Sequence, residues 1–249
     1  TEVPMRRKDE PPTSVGSTAL AERLPQRWIE LVGETLFEFT GDPSSQATRR
    51  VVAIRSLAPL VKRQKTAGIP AAYRTAMLAT AEERNPGQLD VVRSYLTAPD
   101  HSLYVYGHVG VGKTWIACCI GNDLLARGKT VRFQPLSGLL LDLRHTFSTE
   151  GQSERDVLRP FVEAEYLLLD EVGDIALERE PRASGFAASR LLTLLEERWR
   201  EAKPTIMTSN QSVKRLVEWA GDERIGSRIV GMCGQAGVVE LSGRDLRFG

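Results

Sequence analysis

The segment Tyr106–Trp115, YGHVGVGKTW, contains Gly107-x-x-x-x-Gly112-Lys113-Thr114. These residue types at this spacing are suited to gripping a polyphosphate. Gly107, Gly110 and Gly112 allow the backbone to turn so that N–H groups converge on one point, with His108, Val109 and Val111 supplying the backbone between them. A helix beginning at this point adds its partial positive charge, and Trp115 falls in its first turn. Lys113 would then reach the β- and γ-phosphates, and Thr114 would place its hydroxyl on Mg²⁺. ATP and Mg²⁺ are the ligands this implies.

A second segment, EAEYLLLDEVGD, is an apolar run that ends in Asp170 and Glu171. Asp170 at the end of a buried strand is placed to hold the metal. Glu171, one residue on, could polarise an attacking water as a general base. Asp174 is a weaker candidate, on the loop surface. A third segment, PTIMTSN, is another apolar run with a polar end. Ligands of parallel sheets sit beyond the carboxyl ends of the strands. Asn210 therefore falls near the γ-phosphate if this strand neighbours the phosphate-loop strand, with Thr208 the next candidate. A helix-capping or turn role for Asn210 satisfies the local sequence equally well. In GDERIGSRIVG, Arg224 and Arg228 are four apart and share one face of a helix.

These groups need a scaffold that brings distant segments together. Short apolar runs at 102–107, 130–134, 165–170, 204–209 and 237–241 read as strands. Helical patterns lie near 113–127, 136–148, 153–163, 186–202 and 212–220. Alternation of this kind implies a parallel sheet covered on both faces. Ahead of it, residues 1–19 are rich in Pro, Ser, Thr and charge and read as a flexible tail. Residues 20–65 read as a small helical domain. It would hold a helix or two within 20–39 and another over 46–66, with Ile54, Leu57 and Val61 on one face and a bend at Pro59. Between Pro43 and Ala81 there is no Asp or Glu, against Arg49, Arg50, Arg55, Lys62, Arg63, Lys65 and Arg74. That run suits either a solvated face or a contact with phosphates or an acidic partner surface.

Composition narrows the class. The 249 residues are 41% hydrophobic and 26% charged with a net charge of +1, which is ordinary for a globular protein. No apolar run approaches the length of a membrane span, and no leader-like segment stands out. The net charge argues against strong global attraction to nucleic acid while leaving room for a local patch. Cys118, Cys119 and Cys233 form no metal-binding spacing and read as small core residues in a reduced, cytoplasmic setting.

Taken in order, GHVGVGKT, LLLDEVG, TIMTSN and RIGSRI resemble the motif series of AAA+ ATPases, and more narrowly the DnaC/IstB group. TAGIPAAYRTAML (66–78), ARGKTVRFQPLSGLLLDLRHTF (126–147) and VVELSGRDLR (238–247) extend the resemblance over about 65–247. It implies an AAA+ domain over 66–249 behind a partner-binding domain over 20–65. The roughly 20 residues after Arg228 are too few for the helical lid that many AAA+ proteins carry. It also implies that Arg228 is an arginine finger acting on the ATP of a neighbouring subunit, with Arg224 auxiliary. Such a finger is worth ~10³–10⁵ in rate. Arg244 or Arg247 could stand in for a sensor arginine. The implied function is a helicase loader: ATP hydrolysis, stimulated by self-association, that delivers a hexameric replicative DNA helicase onto single-stranded DNA. Ser137–Phe147, with Arg144, is placed to touch that strand. With no cysteine before Cys118, a zinc-binding amino terminus of the sort found in some loaders is not expected. The alternative implied role is an IstB-like DNA-binding regulator of a transposase. RIGSRI is closer to the loader branch, since transposition proteins tend to carry a histidine-containing sequence there.

Overall fold

The computed structural model describes residues 26–32, 35–41, 50–78, 85, 87–148, 151–173 and 181–247, with side chains from Pro59 onward and, in the helix opening at Pro181, from Gly185. Its first elements are three antiparallel strands, β1 (Gln26–Val32), β2 (Thr35–Gly41) and β3 (Arg50–Ser56), ordered β1-β2-β3. This corrects the helices expected over 20–39 and from 46. TLFEFT and RVVAIR concentrate aromatic and β-branched residues, which lose rotamer freedom in a helix and suit a pleated ladder. β1 and β2 pair in register from Gln26 with Gly41 to Val32 with Thr35. Helix begins only at α1 (Leu57–Ala67). Pro59 lies in its first turn, where a missing N–H breaks no bond, so it starts the helix instead of bending it. The buried side of α1 is Leu60, Gln64 and Ala67, while Val61 is 41% exposed. The tail at 1–19 and Asp174 lie outside the described residues.

From here strands and helices alternate: α2 (Gln88–Thr97), β4 (Leu103–Gly107), α3 (Lys113–Ala126), β5 (Val131–Pro135), α4 (Leu136–His145), α5 (Glu154–Glu163) and β6 (Tyr166–Asp170). Then follow α6 (Pro181–Arg200), β7 (Thr205–Ser209), α7 (Val213–Ala220), α8 (Glu223–Cys233) and β8 (Val238–Leu241). The five strands of this second sheet are all parallel, in the order β5-β6-β7-β4-β8. Each was legible as an apolar run, whereas α2 was not anticipated. The chain therefore inserts β7 between β4 and β6, bringing three segments distant in sequence side by side.

Both faces of the sheet are buried, as helical crossovers require. Leu103, Val105, Leu168 and Ile206 point into one apolar cluster with Ile116 and Ile120 of α3. Tyr104, Leu167, Leu169 and Met207 point into the other, with Leu191 and Leu195 of α6. The period-2 alternation is thus retained without any polar face. Helix α3 lies so close to the sheet that a Cβ on Gly121 would come within 2.5 Å of Leu168 Cδ1. Cys118, Cys119 and Cys233 are free and buried, and burial raises all three thiols, Cys233 to about 12.

Two buried polar groups stitch the layers. Arg198 is fully buried, and its guanidinium donates to Thr205 Oγ1 (2.9 Å) and to the carbonyls of Phe161 (2.6 Å), Ala164 (3.0 Å) and Pro204 (2.6 Å). It ties α6 to the starts of β6 and β7. Burial lowers its pKa to about 10, so it remains charged at neutral pH. On the opposite face, Asn122 donates to the carbonyls of Tyr73 (2.8 Å) and Ala76 (2.7 Å) and accepts from Gln64 (3.0 Å), while Asp123 accepts from the Leu78 N–H (3.0 Å). These bonds fix the segment before α2 onto α3. Arg63 and Arg74 of the acid-free run also bond within the domain, donating to the carbonyls of Leu125 (3.1 Å) and Ile69 (3.2 Å).

Arg198→Met should lower unfolding stability by at least about 2 kcal/mol, since it strands several buried carbonyls; urea unfolding would show a lower midpoint at unchanged slope. Asp123 gives a pH signature. Burial raises its carboxyl from 3.8 to about 6, so the folded state favours the neutral acid. The cost of ionising it is complete above pH about 6 and vanishes as pH falls through 6 towards 3.8. Asp123→Asn keeps an acceptor for Leu78 and abolishes that cost. Its melting temperature relative to the parent should be higher at pH 7.5 than at pH 4.5.

Candidate nucleotide-binding site

The carboxyl ends of β4, β6 and β7 meet at one cleft of about 230 Å³. The loop from Gly107 to Gly112 forms its floor. Gly107, Gly110 and Gly112 have φ of 153°, 83° and 96°, in the region that favours glycine. Close packing demands glycine as well. A Cβ at Gly107 would lie 2.2 Å from the backbone oxygen of Leu241, whereas at Gly110 it would meet only the Asp245 carboxylate, which can move aside. Gly112 stands at the N-cap of α3 and offers no side-chain cap, so the first-turn N–H groups face the cleft side without a capping oxygen. His108 and Val109 are exposed on the loop, Val111 is buried beneath it, and Trp115 lines the cleft wall.

Lys113 is 9% exposed, and its ammonium donates to Gly107 O (2.8 Å), His108 O (2.7 Å) and Asn210 Oδ1 (2.5 Å). Asn210 thus lines the same cleft as Lys113. The capping alternative does not hold, because Ser212 caps α7 by accepting from the Arg215 N–H. Its position follows from the pairing of Tyr106 with Ser209, one step earlier on β4 and β7.

Asp170 is 5% exposed and accepts from the Thr114 hydroxyl at 3.0 and 3.1 Å and from the Thr208 hydroxyl in a short bond. Burial pushes its carboxyl above the usual carboxylate range, while the bonds from Thr208 and Thr114 and the Lys113 charge pull it back. Thr208 also accepts from the Glu171 N–H at 3.1 Å. Glu171 has a φ of 57°, a left-handed conformation uncommon outside glycine and sustained here by its surroundings. Val172 N–H donates to Thr208 O (2.8 Å) and Ser209 Oγ donates to Val172 O (2.6 Å), so the turn after β6 is laced to the end of β7. Glu171 lines the cleft.

Several groups at the site carry no motif. Gln88 of α2 donates to Val111 O (2.6 Å), Asn85 donates to Val111 O (3.4 Å) and Arg244 O (2.9 Å), and the Leu246 N–H donates to Gly110 O (3.0 Å). The segment after β8 is thereby clasped to the phosphate loop. Tyr73, Gln88, Leu246 and Arg247 complete the cleft wall. Arg244 contributes backbone to the clasp. Only the glycine spacing and the end of β8 hinted at this closure.

The donor set fits a Mg²⁺–nucleotide pair. A hydroxyl and a carboxylate converge at Thr114 and Asp170, beside a glycine cradle that a Cβ would fill. Among the described residues no three His, Cys, Asp or Glu side chains cluster as a self-sufficient metal site. Arg224 and Arg228 are on α8 and are not among the described residues lining the cleft. Arg224 is 74% exposed and bound to Asp222 (2.7 Å), the N-cap of α8. Arg228 pairs with Glu196 of α6 at 3.5 Å.

Among the described residues, no helix is long and apolar enough to cross a membrane. Comparison with known proteins agrees with this architecture. The chain is 24% identical over 193 residues to the replicative helicase loader DnaC of Escherichia coli, covering 74% of this chain and 76% of that protein. It is 30% identical over 151 residues to a putative ATP-binding protein of insertion sequence IS5376 from Geobacillus stearothermophilus, covering 61% and 56%. The crystal structure of a DnaC helicase loader superposes with a TM-score of 0.57 at 23% identity, over 70% of this chain and 100% of that one. AMPPCP-bound DnaA from Aquifex aeolicus gives 0.56 at 20% identity over 72% of this chain, which spans about half (53%) of that protein. The fold is that of AAA+ P-loop proteins, and with the IstB-like ATP binding protein profile matching residues 46–248, the chain belongs to that family.

Proposed function

We propose that this chain hydrolyses ATP and uses the cycle to load a hexameric replicative DNA helicase onto single-stranded DNA. The observation that carries the hydrolytic part is the convergence of Lys113, Thr114, Glu171 and Asn210 on one cleft, with Asp170 bonded to Thr114 directly behind it. In this reading the ammonium of Lys113 leaves the loop carbonyls for phosphate oxygens, and Asn210 stays as its orienting acceptor or turns to the attacking water. Mg²⁺ bound with the nucleotide supplies charge that offsets the negative charge on the phosphates. Asp170 and Thr114 would hold it, and Thr208 keeps Asp170 oriented. Glu171, its backbone pinned by the same Thr208, withdraws the proton from the attacking water. Arg228 completes the site of a neighbouring subunit, with Arg224 beside it.

The loader reading is supported by the DnaC likeness, which extends over three quarters of both proteins. Residues 20–65 are assigned to the helicase contact, now through the three-stranded sheet at 26–56 in place of helices. The expected DNA-facing segment also has suitable chemistry. Leu141 is 56% and Phe147 67% exposed, Phe147 meets Phe186 edge-on at 5.9 Å, and Arg144 and Arg190 lie over the Phe186 ring at 5.4 and 4.9 Å. Exposed aromatics beside cations suit stacked bases of a single strand. The IS5376 likeness, higher in identity over a shorter span, favours a second reading, an ATP-dependent regulator of a transposase on duplex DNA.

Glu171→Gln should bind ATP as the parent does and lose about 10²-fold or more in turnover, whereas Lys113→Ala should lose binding; equilibrium nucleotide titration beside phosphate release separates the two. An unimpaired Glu171→Gln enzyme would remove the base assignment. The loader role predicts a joint peak on a sizing column with the replicative helicase of the same cell, dependent on residues 20–65. ATP-dependent filaments on duplex DNA without such a peak would establish the transposition reading instead.

A further inference from the structure

The cation expected to act in trans is tethered to its own subunit by contacts that no motif contains. Arg228 lies over the Trp199 ring with Cζ 3.9 Å from the ring centroid, close enough for a strong cation–π contact. Its Nη2 reaches Glu196 Oε1 at 3.5 Å, a long and half-exposed pair of the kind worth little. Its Nε is buried without a hydrogen-bond partner among the described residues. A guanidinium presents five donors in a plane. This one is aligned by an aromatic face yet poorly satisfied by acceptors, an arrangement ready to take on more.

The surroundings add a second feature. Trp199 is 42% exposed, so Arg228 rests on a partly exposed indole at the surface between α6 and α8. Gly231, one turn of α8 beyond Arg228, lies against the same indole, where a Cβ would stand at contact distance, 3.4 Å from Trp199 Cη2. A large exposed aromatic beside an arginine is the composition of interface hot spots. The charge of Arg228 selects an anionic partner surface, and the phosphate-binding cleft of a second copy is such a surface once it holds nucleotide.

We propose that Trp199 and Glu196 are positioning residues for Arg228: the indole is a platform that keeps the guanidinium aimed outward, and Glu196 is a counter-ion that the γ-phosphate bound by a second copy displaces. Trp199 then becomes buried against that copy. This rests on the trans action of Arg228 proposed above, and it adds opposite roles for its two neighbours. The platform promotes assembly-dependent hydrolysis, and the counter-ion holds it back in the lone subunit.

The test is the ATPase rate of the full chain against protein concentration, with a single-stranded oligonucleotide present. Glu196→Gln should lower the protein concentration for half-maximal rate by up to about fivefold, the span of an exposed ion pair. Trp199→Ala should lower the maximal rate about tenfold, the scale of a desolvated cation–π contact, with nucleotide affinity unchanged. Trp199→Phe should restore most of that rate. Mixing Trp199→Ala with Lys113→Ala subunits should also restore it, because the latter supply an intact Arg228 to competent clefts. Thermal melting of each variant accompanies the rates. If Arg228→Ala is defective and rescued by mixing while Trp199→Ala turns over like the parent, the platform role is overturned and trans action stands. A Trp199→Ala defect that mixing does not rescue, with a lowered melting point, marks Trp199 as structural and equally overturns it. An unchanged half-maximal concentration in Glu196→Gln overturns the counter-ion role. An Arg228→Ala chain as active as the parent removes trans action and the inference together.

Discussion

A buried carboxylate imposes the strictest local constraint on this structure. Asp170 ends a strand of five buried residues and is itself 5% exposed. Burial of an ionised carboxylate is tolerated only where hydrogen bonds and nearby positive charge replace water. Here the replacements come from two other segments, Thr114 on the phosphate loop's helix and Thr208 on β7. The sheet order satisfies this demand. With β7 between β4 and β6, the hydroxyl of Thr208 can bond Asp170 while its own oxygen accepts from the Glu171 N–H. The left-handed backbone of Glu171 is the local cost of this arrangement, of order 1–3 kcal/mol for such conformations. It turns the residue after the buried strand into the cleft.

A second constraint acts on the opposite wall. The phosphate loop is covered from outside by the segment following β8, through the Leu246 N–H and the Asn85 side chain. Backbone approaches backbone closely, which is why Gly107 would set a Cβ 2.2 Å from Leu241 O. The glycines thus answer two demands at once, positive φ for the turn and clearance for the clasp. The clasp makes the loop's shape depend on residues more than a hundred positions away, and it explains why Asn85 and Arg244, 159 apart in sequence, exchange two hydrogen bonds.

The parts of the molecule that were readable in advance are those whose information is local. YLLLD, TIMTS and LYVYG announce buried parallel strands because both faces are covered and the run is continuously apolar. The turn after β4 was legible from its glycine spacing, and the place of Asp170 from the apolar run that it ends. Helix α2 was readable in principle, since Leu89, Val92, Tyr95 and Leu96 recur at helical spacing and are buried, but Asp90 and Arg93 interrupt the run. The strands at 26–56 were missed because WIELV and TLFEF carry enough apolar residues to fit either period, and only their β-branched and aromatic enrichment decides. Asn85, Gln88, Thr208 and Trp199 are different in kind. Their roles are set by partners 23 to 159 residues away, or by neighbours on another helix, and no short window contains that information.

The two arginines of RIGSRI show how one helix can divide such information. Asp222 caps α8 and captures Arg224 two residues on, so that side chain is committed to its own helix end. Arg228, one turn further, has left that end and rests on α6, with one N–H unsatisfied and a long ion pair to Glu196. The contrast is energetic as well as geometric. A guanidinium with two close carboxylate bonds gains little from a new anion, because it must give those bonds up. A guanidinium stacked on an indole keeps the stacking while its edge takes on phosphate oxygens, since the ring occupies the face and the donors lie in the plane. Of the two, Arg228 is therefore the one whose resting contacts favour transfer to a second copy.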